Sequence, residues 1–316
     1  MEAQGAYIIP LMLHAFSCLL QRRHRPNLLG IATSALRELS RCVGQVGDLL
    51  GRMDEKCDPQ VFYHRIRPYL AGSKGMEDVG LPRGVFYDEG DGKGQWRALR
   101  GGSNGQSSLI QFWDLVLGVE HVSCGGKGKG GSGGRGFGGC MAAGGQGKAA
   151  DGGEPEMSFH EEVRGYMPEP HRRFLEYVAK MGGGGGMRKA IMQLREETRG
   201  DPTPAQVELE EAFQGATRAL AAFRNKHLQI VTRYIIIPSR QSAPEQLKEG
   251  KGVVNLATAS LGKCPVAKDL KTSCGNEEEV RCEKSDSVEL TGTGGTALLP
   301  FLKQTRDETY QAGEIR

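Results

Sequence analysis

The longest apolar stripe in the sequence runs from Leu209 to Tyr234 and limits the folds that this chain can adopt. Its members recur at alternating steps of four and three residues, which is the spacing of one helix face. The stretch Asp201–Pro204 precedes the stripe and suits a helix N-terminus, and Pro238 follows it. The pattern therefore predicts the longest helix of the protein. The residues on this face are Leu209, Phe213, Ala216, Leu220, Phe223, His227, Ile230 and Tyr234.

One member of the stripe, His227, is ionisable and is expected to point into the core like Phe223 and Ile230. A buried neutral histidine that hydrogen-bonds to a neighbour is the ordinary interpretation, since buried polar side chains usually find partners. The alternative is a metal or haem ligand, because neutral imidazole is the commonest metal-binding side chain. No second histidine lies four residues away. A two-histidine helical metal site is therefore excluded, and a single axial ligand is not.

Apolar periodicity predicts helices in the rest of the chain, and no stretch has a convincing strand pattern. The segment Lys74–Gly102 is rich in turn residues and is expected to be a loop. The stretch Gly105–Val122 is apolar on nearly all sides and predicts a central core helix. We therefore expect a single all-α domain over residues 1–316. The other predicted helices cover residues 6–20, 27–52, 58–68, 160–181 (broken at Pro168 and Pro170), 187–198 and 296 onwards.

Two low-complexity segments interrupt these helices. Residues 124–153 are rich in glycine and residues 241–289 are polar, so neither offers enough apolar burial to offset the entropy of ordering. We expect both to be mobile insertions without a catalytic part. Gly131–Gly136 fits G-x-G-x-x-G, but no predicted strand precedes it, so it has no weight as a nucleotide motif. An RNA-binding role for the scattered Lys and Arg is disfavoured because Phe137 is the one aromatic residue interleaved with them.

Charge and cysteine content exclude several classes of protein. The net charge of +3 gives no reason to expect a nucleic-acid partner. None of the eight cysteines forms a CxxC pair, so a structural zinc site is not expected, and reduced thiols indicate a cytoplasmic protein. The apolar run Ala6–Leu20 has Glu2 before it rather than positive charge, and it is shorter than the roughly 20 residues of a membrane span. We expect a buried helix and no membrane association, with Pro10 near the first turn.

The stretch Phe62–Leu70 combines aromatic residues with an arginine. Arg67 follows Phe62 and Tyr63 at separations of five and four residues, which places it near the same helix face. An arginine beside aromatic rings suits a ligand that has a flat apolar body and a carboxylate. A surface arginine without such a role is the alternative.

Two glycine-containing loops precede predicted helices. In Arg100–Ser108, free N–H groups and hydroxyls suit an anionic or polar ligand. The alternative is a plain N-cap of the core helix, made by Ser103 or Asn104. The loop Gly292–Thr296 is either a lid over an anionic ligand or a simple turn.

Four segments, in this order, resemble the indoleamine 2,3-dioxygenases. The resemblance covers the chain from about Gly5 to the C-terminus apart from the two insertions. It implies an all-α haem-binding domain that acts as a monomer. The implied reaction opens the pyrrole ring of L-tryptophan with dioxygen and gives N-formylkynurenine. The segments are GGSNGQSS (residues 101–108), YMPEPHRRFL (166–175), FRNKHLQIVTRYIIIP (223–238) and GTGGTALLPFLKQTRDET (292–309).

The resemblance also assigns a cofactor site. His227 matches the proximal ligand of haem b and is the metal ligand in this assignment. Arg224 matches an arginine placed near the haem, and Asp114 matches a residue of the core helix behind it. Ser103 matches the serine of the pocket loop, which contributes to both the cofactor and the substrate site.

The substrate site is assigned in the same way. Phe62 and Tyr63 match the aromatic pair that packs on the indole ring. Arg67 matches the arginine that pairs with the substrate carboxylate. Gly292 and Thr293 belong to the loop that closes over the substrate. The resemblance implies no protein residue acting as catalytic acid or base.

The chain also departs from the family pattern. It begins inside the helix that follows the family's small N-terminal domain, so we expect that domain to be absent. Ala6, Tyr7 and Pro10 stand where the family has two aromatic residues and a serine, which predicts a thinner aromatic wall. The alternative function is therefore a haem- or oxygen-binding member without catalysis, or an inactive fragment.

Overall fold

The computed structural model describes residues 1–21, 28–74, 76, 80–122, 158–198, 201–241, 290, 292–294 and 296–315. The predicted insertions at 124–153 and 241–289 lie outside the described residues, apart from Gln241, and so does the stretch Gly131–Gly136. Helices dominate the described part, which confirms the all-α prediction.

Two long helices form the N-terminal part of the fold. A single turn, Glu2–Gly5, precedes α1 (Ile8–Leu20), and α2 (Leu28–Gly51) packs against α1. Pro10 lies in the first turn of α1, as predicted, where its missing N–H leaves no helical hydrogen bond unmade. The stretch Glu2–Leu20 is long and apolar enough to cross a membrane, but buried core helices satisfy the same criterion. The fully buried residues of α1 are Ile8, Met12, Ala15, Phe16 and Leu19.

The remaining helices surround a long central one. The longer ones in the described part of the chain are α3 (Ser108–Leu117), α4 (Phe159–Arg164), α5 (Glu169–Lys180), α6 (Gly186–Glu197), α7 (Pro204–Val231) and α8 (Leu298–Ala312). Short helical segments after α2 cover Arg52–Glu55, Pro59–Val61, Phe62–Ile66 and Arg67–Leu70. The central helix is α7, which continues through a π-helical segment, Thr232–Ile236, and a last turn, Ile237–Ser239. It packs along α2 and against α8, while α3 packs against α5 and α6.

The apolar stripe of α7 is buried as the sequence predicts. Thr203 and Gln206 form a capping box at its start, in which each side chain bonds to the backbone of the other residue. Toward its end, Phe223 is 6% exposed and Tyr234 is 1% exposed. The stripe therefore supplies much of the core, and α2 and α8 cover it. The fully buried members of the stripe are Leu209, Phe213, Ala216 and Leu220.

Prolines mark helix starts more often than breaks in this fold. Pro168 is the N-cap of α5, and Pro170 falls in its first turn. The prediction that Pro170 breaks a helix is therefore wrong, because a proline in the first turn has no intrahelical N–H bond to lose. Pro238 lies within the last turn after α7 rather than beyond it.

The prediction that Lys74–Gly102 is a loop without strands is wrong in one place. Strands β1 (Val85–Gly90) and β2 (Lys93–Arg97) form an antiparallel hairpin. Its turn places Asp91, between two glycines, at a φ of 51°. Positive φ is usual in short hairpin turns, and glycine adopts it without steric cost. All residues of both strands are exposed, so the alternation that identifies a half-buried strand is missing.

The core helix is shorter than predicted. Helix α3 occupies only the centre of Gly105–Val122, because Gly118 adopts a φ of 75° and ends it. Its N-cap is Ser107, whose hydroxyl accepts a backbone N–H bond. The expectation that Ser103 or Asn104 caps this helix is therefore wrong. Ser103 instead caps the single turn that begins at Asn104.

Candidate functional site

A cavity of about 570 Å³ opens between the C-terminal half of α7, the segment Phe62–Leu70 and the loops Gly102–Gln106 and Gly292–Thr296. This volume lies within the roughly 300–1,000 Å³ that is usual for small-molecule sites. The walls are largely apolar, and a few polar side chains converge on the interior. The apolar lining includes Leu50, Met53, Phe223, Ile230, Val231, Leu298, Phe301 and Leu302.

The cavity brings together residues that lie far apart in the sequence and that the sequence analysis assigned to one site. Tyr63 is the exception. It is 6% exposed, does not line the cavity and meets the ring of His64 edge-on at 4.9 Å. Neighbouring residues of a helix point in different directions, so Phe62 faces the cavity and Tyr63 does not. The predicted residues that line the cavity are Phe62, Arg67, Ser103, Arg224, His227, Gly292 and Thr293.

His227 lines the cavity together with Phe223 and Ile230, so the three side chains share one direction as the stripe predicts, and this direction leads to the cavity. Its side chain is half-buried, and its Nε2 accepts a hydrogen bond from Asn104 Nδ2 at 2.7 Å. Burial and the nearby Arg224 guanidinium lower the pKa of His227 to about 4. The imidazole is therefore neutral at neutral pH, the form in which histidine binds a metal ion. The hydrogen bond to Asn104 agrees with a buried histidine that bonds to a neighbour. The position on the cavity wall agrees with a histidine that binds a metal or haem.

Arg224 precedes His227 by nearly one helical turn and is anchored from behind by Asp114. Its Nη2 lies 2.7 and 2.8 Å from the two Asp114 carboxylate oxygens, and its Nη1 donates to the Thr309 hydroxyl. Burial alone would raise the pKa of Asp114, but Arg224 and His121 outweigh it and hold the pKa below its usual value. The pair therefore fixes the guanidinium at the cavity wall.

His121 extends this buried network from Asp114 to Glu308, and sequence analysis did not identify it as part of the site. Its Nε2 lies 3.1 Å from Asp114 Oδ2, and its Nδ1 lies 2.6 Å from Glu308 Oε2. Burial alone would lower the pKa of His121, but the two carboxylates outweigh burial and raise it. Glu308 also accepts bonds from the Val122 N–H and the Gln304 amide. The network therefore ties α3 and its C-terminal extension to α8 behind the cavity.

His160 stacks on this network and lines the cavity. Its ring lies 4.0 Å from that of His121, with 22° between the planes, and Phe301 stacks on it at 5.6 Å. The residue is 9% exposed. Burial, and then the charge of His121, lower the pKa of His160 to about 3. His160 is therefore a second neutral imidazole in the cavity wall.

The lowered pKa of His160 predicts a loss of stability in mild acid. The unfolded chain binds a proton at this residue near pH 6.5, whereas the folded chain does so only near pH 3. The free energy of unfolding should therefore fall by about 1.4 kcal/mol per pH unit below pH 6.5 from His160 alone. Burial is the largest cause of this lowered pKa, the cations His121, Arg224 and Arg164 add to it, and Asp114 opposes it.

Urea unfolding at pH 7 and pH 5 measures this contribution. The change His160→Leu should reduce the loss of stability between the two pH values by about 2 kcal/mol. The change His171→Leu, at an exposed histidine, is the matched control. The remaining slope contains a parallel contribution from His227, whose pKa is also lowered, and an opposite one from His121, whose pKa is raised. Equal slopes in the wild type and in His160→Leu would contradict the prediction.

The loop Gly292–Thr296 is bonded to the loop that carries Ser103. The Gly101 N–H donates to Thr293 O at 3.1 Å, and the Thr293 hydroxyl donates to Gly102 O. A Cβ atom at Gly101 would lie 2.2 Å from Leu70 O and 2.5 Å from Thr293 O, so a side chain there would push the neighbouring backbone segments apart. Glycine at this position therefore permits the two loops to meet over one side of the cavity.

Arg100 also bonds to this loop, although sequence analysis did not identify it as a site residue. Its Nη1 donates to Gly294 O, and its Nη2 lies 2.7 Å from Glu162 Oε2. Lys74 bonds the other oxygen of Glu162 at 2.5 Å. Hydrogen bonding to Arg100, and then the bond to Lys74, lower the pKa of Glu162 to about 2. The carboxylate therefore stays charged and holds Arg100 against the loop.

The donor set fits a haem group. Among the described residues, no cluster of three or more His, Cys, Asp or Glu side chains is arranged to hold a metal ion. One neutral imidazole, such as that of His227, suits a metal that a macrocycle already holds on its other sides. The apolar walls suit the body of such a ring, and the anchored Arg224 supplies positive charge at the wall.

Comparison with known proteins gives a consistent result. A family model described as indoleamine 2,3-dioxygenase matches residues 1–312. Indoleamine 2,3-dioxygenase of Saccharomyces cerevisiae is 32% identical over 281 residues, which are 89% of this chain and 50% of that protein. The 6-hydroxytryptophan 2,3-dioxygenase fscD of Fusarium equiseti is 28% identical over 312 residues, 98% of this chain and 58% of that protein. A myoglobin of Haliotis madaka is 25% identical over 277 residues, 87% of this chain and 50% of that protein.

The chain spans about half the length of the curated relatives that it matches. The family model nevertheless covers almost all of the chain, including every residue that lines the cavity. The helical fold and the histidine on the cavity wall agree with this match. The chain belongs to the indoleamine 2,3-dioxygenase family.

Proposed function

We propose that this protein is a haem-dependent dioxygenase that opens the indole ring of L-tryptophan and gives N-formylkynurenine. The observation that carries the proposal is the joint presence of neutral His227 and buried Arg67 in the lining of one largely apolar cavity. A flat cofactor and an amino-acid substrate need this combination of a metal ligand, apolar walls and a carboxylate partner. The indoleamine and 6-hydroxytryptophan dioxygenases among its relatives support the same substrate class.

Haem b, when bound, supplies the oxygen chemistry, through which both atoms of dioxygen enter the product. In this proposal His227 holds the iron, and Arg67 binds the substrate carboxylate and so orients the indole ring. Phe62 packs on that ring, and Ser103 offers a hydroxyl beside it. The loop that contains Gly292 and Thr293 closes over the substrate and excludes water.

A second candidate is a haem- or oxygen-binding protein without catalysis. The relative named myoglobin supports it. The loss of one predicted aromatic contact also supports it, because Tyr63 is buried outside the cavity and cannot pack on an indole ring there. Tyr7, which stands where the family has an aromatic pair, is 45% exposed and donates to Glu38 at 2.9 Å rather than lining the cavity.

The absorption spectrum of the full chain with haem distinguishes the two candidates. We expect a ferric Soret band that shifts on addition of L-tryptophan, because a bound indole changes the surroundings of the iron. We also expect N-formylkynurenine, detected by mass spectrometry, when the reduced protein is supplied with tryptophan and dioxygen. A Soret band with neither response would support the second candidate. Failure to bind haem would contradict both.

A further inference from the structure

One ring nitrogen of His227, the residue proposed to hold the iron, already has a partner inside the protein. Asn104 Nδ2 lies 2.7 Å from His227 Nε2, within the normal range for a hydrogen bond. The amide nitrogen is a donor with no lone pair to offer, so it donates to the ring. The ring of neutral His227 has one nitrogen with an available lone pair, which either accepts a hydrogen bond or binds a metal ion. The Asn104 bond and metal ligation at Nε2 are therefore mutually exclusive.

The side chain of Asn104 is placed by a fixed piece of backbone. It begins a single helical turn, Asn104–Gln106, which Ser103 caps by accepting the Gly105 N–H at 3.2 Å. The backbone N–H of Gly102, which precedes Ser103, donates to Leu70 O at 3.0 Å. Asn104 itself is exposed at the mouth of the cavity. Rotation of its side chain, with the backbone in place, is therefore sufficient to free His227.

We propose that His227 holds the iron through Nε2, that Asn104 caps this nitrogen in the haem-free protein, and that Asn104 must be displaced when haem binds. The proposal rests on the proposed ligation of haem by His227. It assigns to Asn104 a role as a positioning residue that sets haem affinity. The cap satisfies the Nε2 lone pair in the absence of haem, since an unsatisfied polar group in a partly buried site is unfavourable. Each binding event then exchanges one hydrogen bond for one metal–nitrogen bond.

Haem titration of Asn104→Ala tests this role. The variant has no cap to break, so it should bind haem about 3- to 10-fold more tightly than the wild type, the factor expected for one net hydrogen bond. Because the exchange occurs on entry, faster association should account for most of the gain. Asn225→Ala is the matched control: Asn225 lies on the helix that carries His227, bonds to the Tyr310 hydroxyl at 3.3 Å and does not line the cavity.

A second measurement tests the cap without haem. In the haem-free protein, the ¹⁵N resonance of His227 Nε2 should move in Asn104→Ala and stay in place in Asn225→Ala, because only the first change removes its donor. An unmoved resonance would overturn the proposal. Unchanged or weaker haem binding by Asn104→Ala would also overturn it, since weaker binding means that Asn104 supports the bound cofactor. A wild type that binds no haem would refute the proposed function, and the resonance would still test the cap.

Discussion

Replacing His227 by alanine is expected to abolish the Soret band of the ferric haem complex. The imidazole is neutral, lines the cavity and extends from a helix whose stripe is fixed in the core. Alanine leaves the cavity without this ligand. The apolar walls alone are not expected to retain haem, because in this proposal His227 makes the one bond between the protein and the iron. Haem content after gel filtration and the visible spectrum measure the loss.

Three comparisons make this result specific to His227. His160 is the other described histidine in the cavity wall, and His160→Leu should retain the Soret band. His171→Ala, at an exposed position, controls for loss of any histidine. Free imidazole added to His227→Ala should enter the vacated space and restore a band. An unchanged spectrum in His227→Ala, with loss in His160→Leu, would move the ligand assignment to His160.

Much of the fold follows from local sequence signals. The stripe from Leu209 to Tyr234 identified α7, and its neighbours appeared because their own apolar faces repeat at helical spacing. The hairpin at Val85–Arg97 was missed because both of its faces are exposed and leave no alternating pattern. The cap of α3 was misplaced because Ser103 and Ser107 are both suitable caps, and backbone geometry decides between them.

Residues of the cavity wall were predictable where they belong to a family motif and much less so elsewhere. His227 and Arg67 were found from their motifs, and the cavity brings them together. His121, His160 and Glu308 were missed because they meet across the fold: His121 and Glu308 are 187 residues apart, and no local pattern links them. Their partners are set by the packing of α8 against α7, which no local sequence signal describes.

The second large effect is expected at Arg67. This side chain lines the cavity and is 2% exposed, so its charge is largely removed from water. Burial lowers the pKa of Arg67, yet a guanidinium keeps its proton at neutral pH. A carboxylate that enters the cavity can therefore form a charge-assisted pair at a site with little competing solvent. Phe62 lines the same cavity and is available to the apolar part of the ligand.

The change Arg67→Ala should weaken the tryptophan-induced shift of the haem spectrum and leave haem binding intact. Removing one partner of a desolvated ion pair costs about 2–5 kcal/mol, which corresponds to about 30-fold or more in affinity. Titration of the ferric protein with L-tryptophan measures the apparent Kd. Arg67→Lys should recover part of the affinity, because an ammonium restores the charge but not the two-pronged geometry of the guanidinium.

The controls for Arg67 separate substrate binding from folding. Arg65→Ala removes an exposed arginine from the same segment and should leave both the haem spectrum and the tryptophan titration unchanged. Tryptamine, which lacks the carboxylate, should bind wild type and Arg67→Ala with similar affinity, since Arg67 is assigned to that one group. If Arg67→Ala responds to tryptophan as strongly as the wild type does, the carboxylate is held elsewhere. The backbone amides around Gly292 and Thr293, which line the same cavity, would then be the next groups to test.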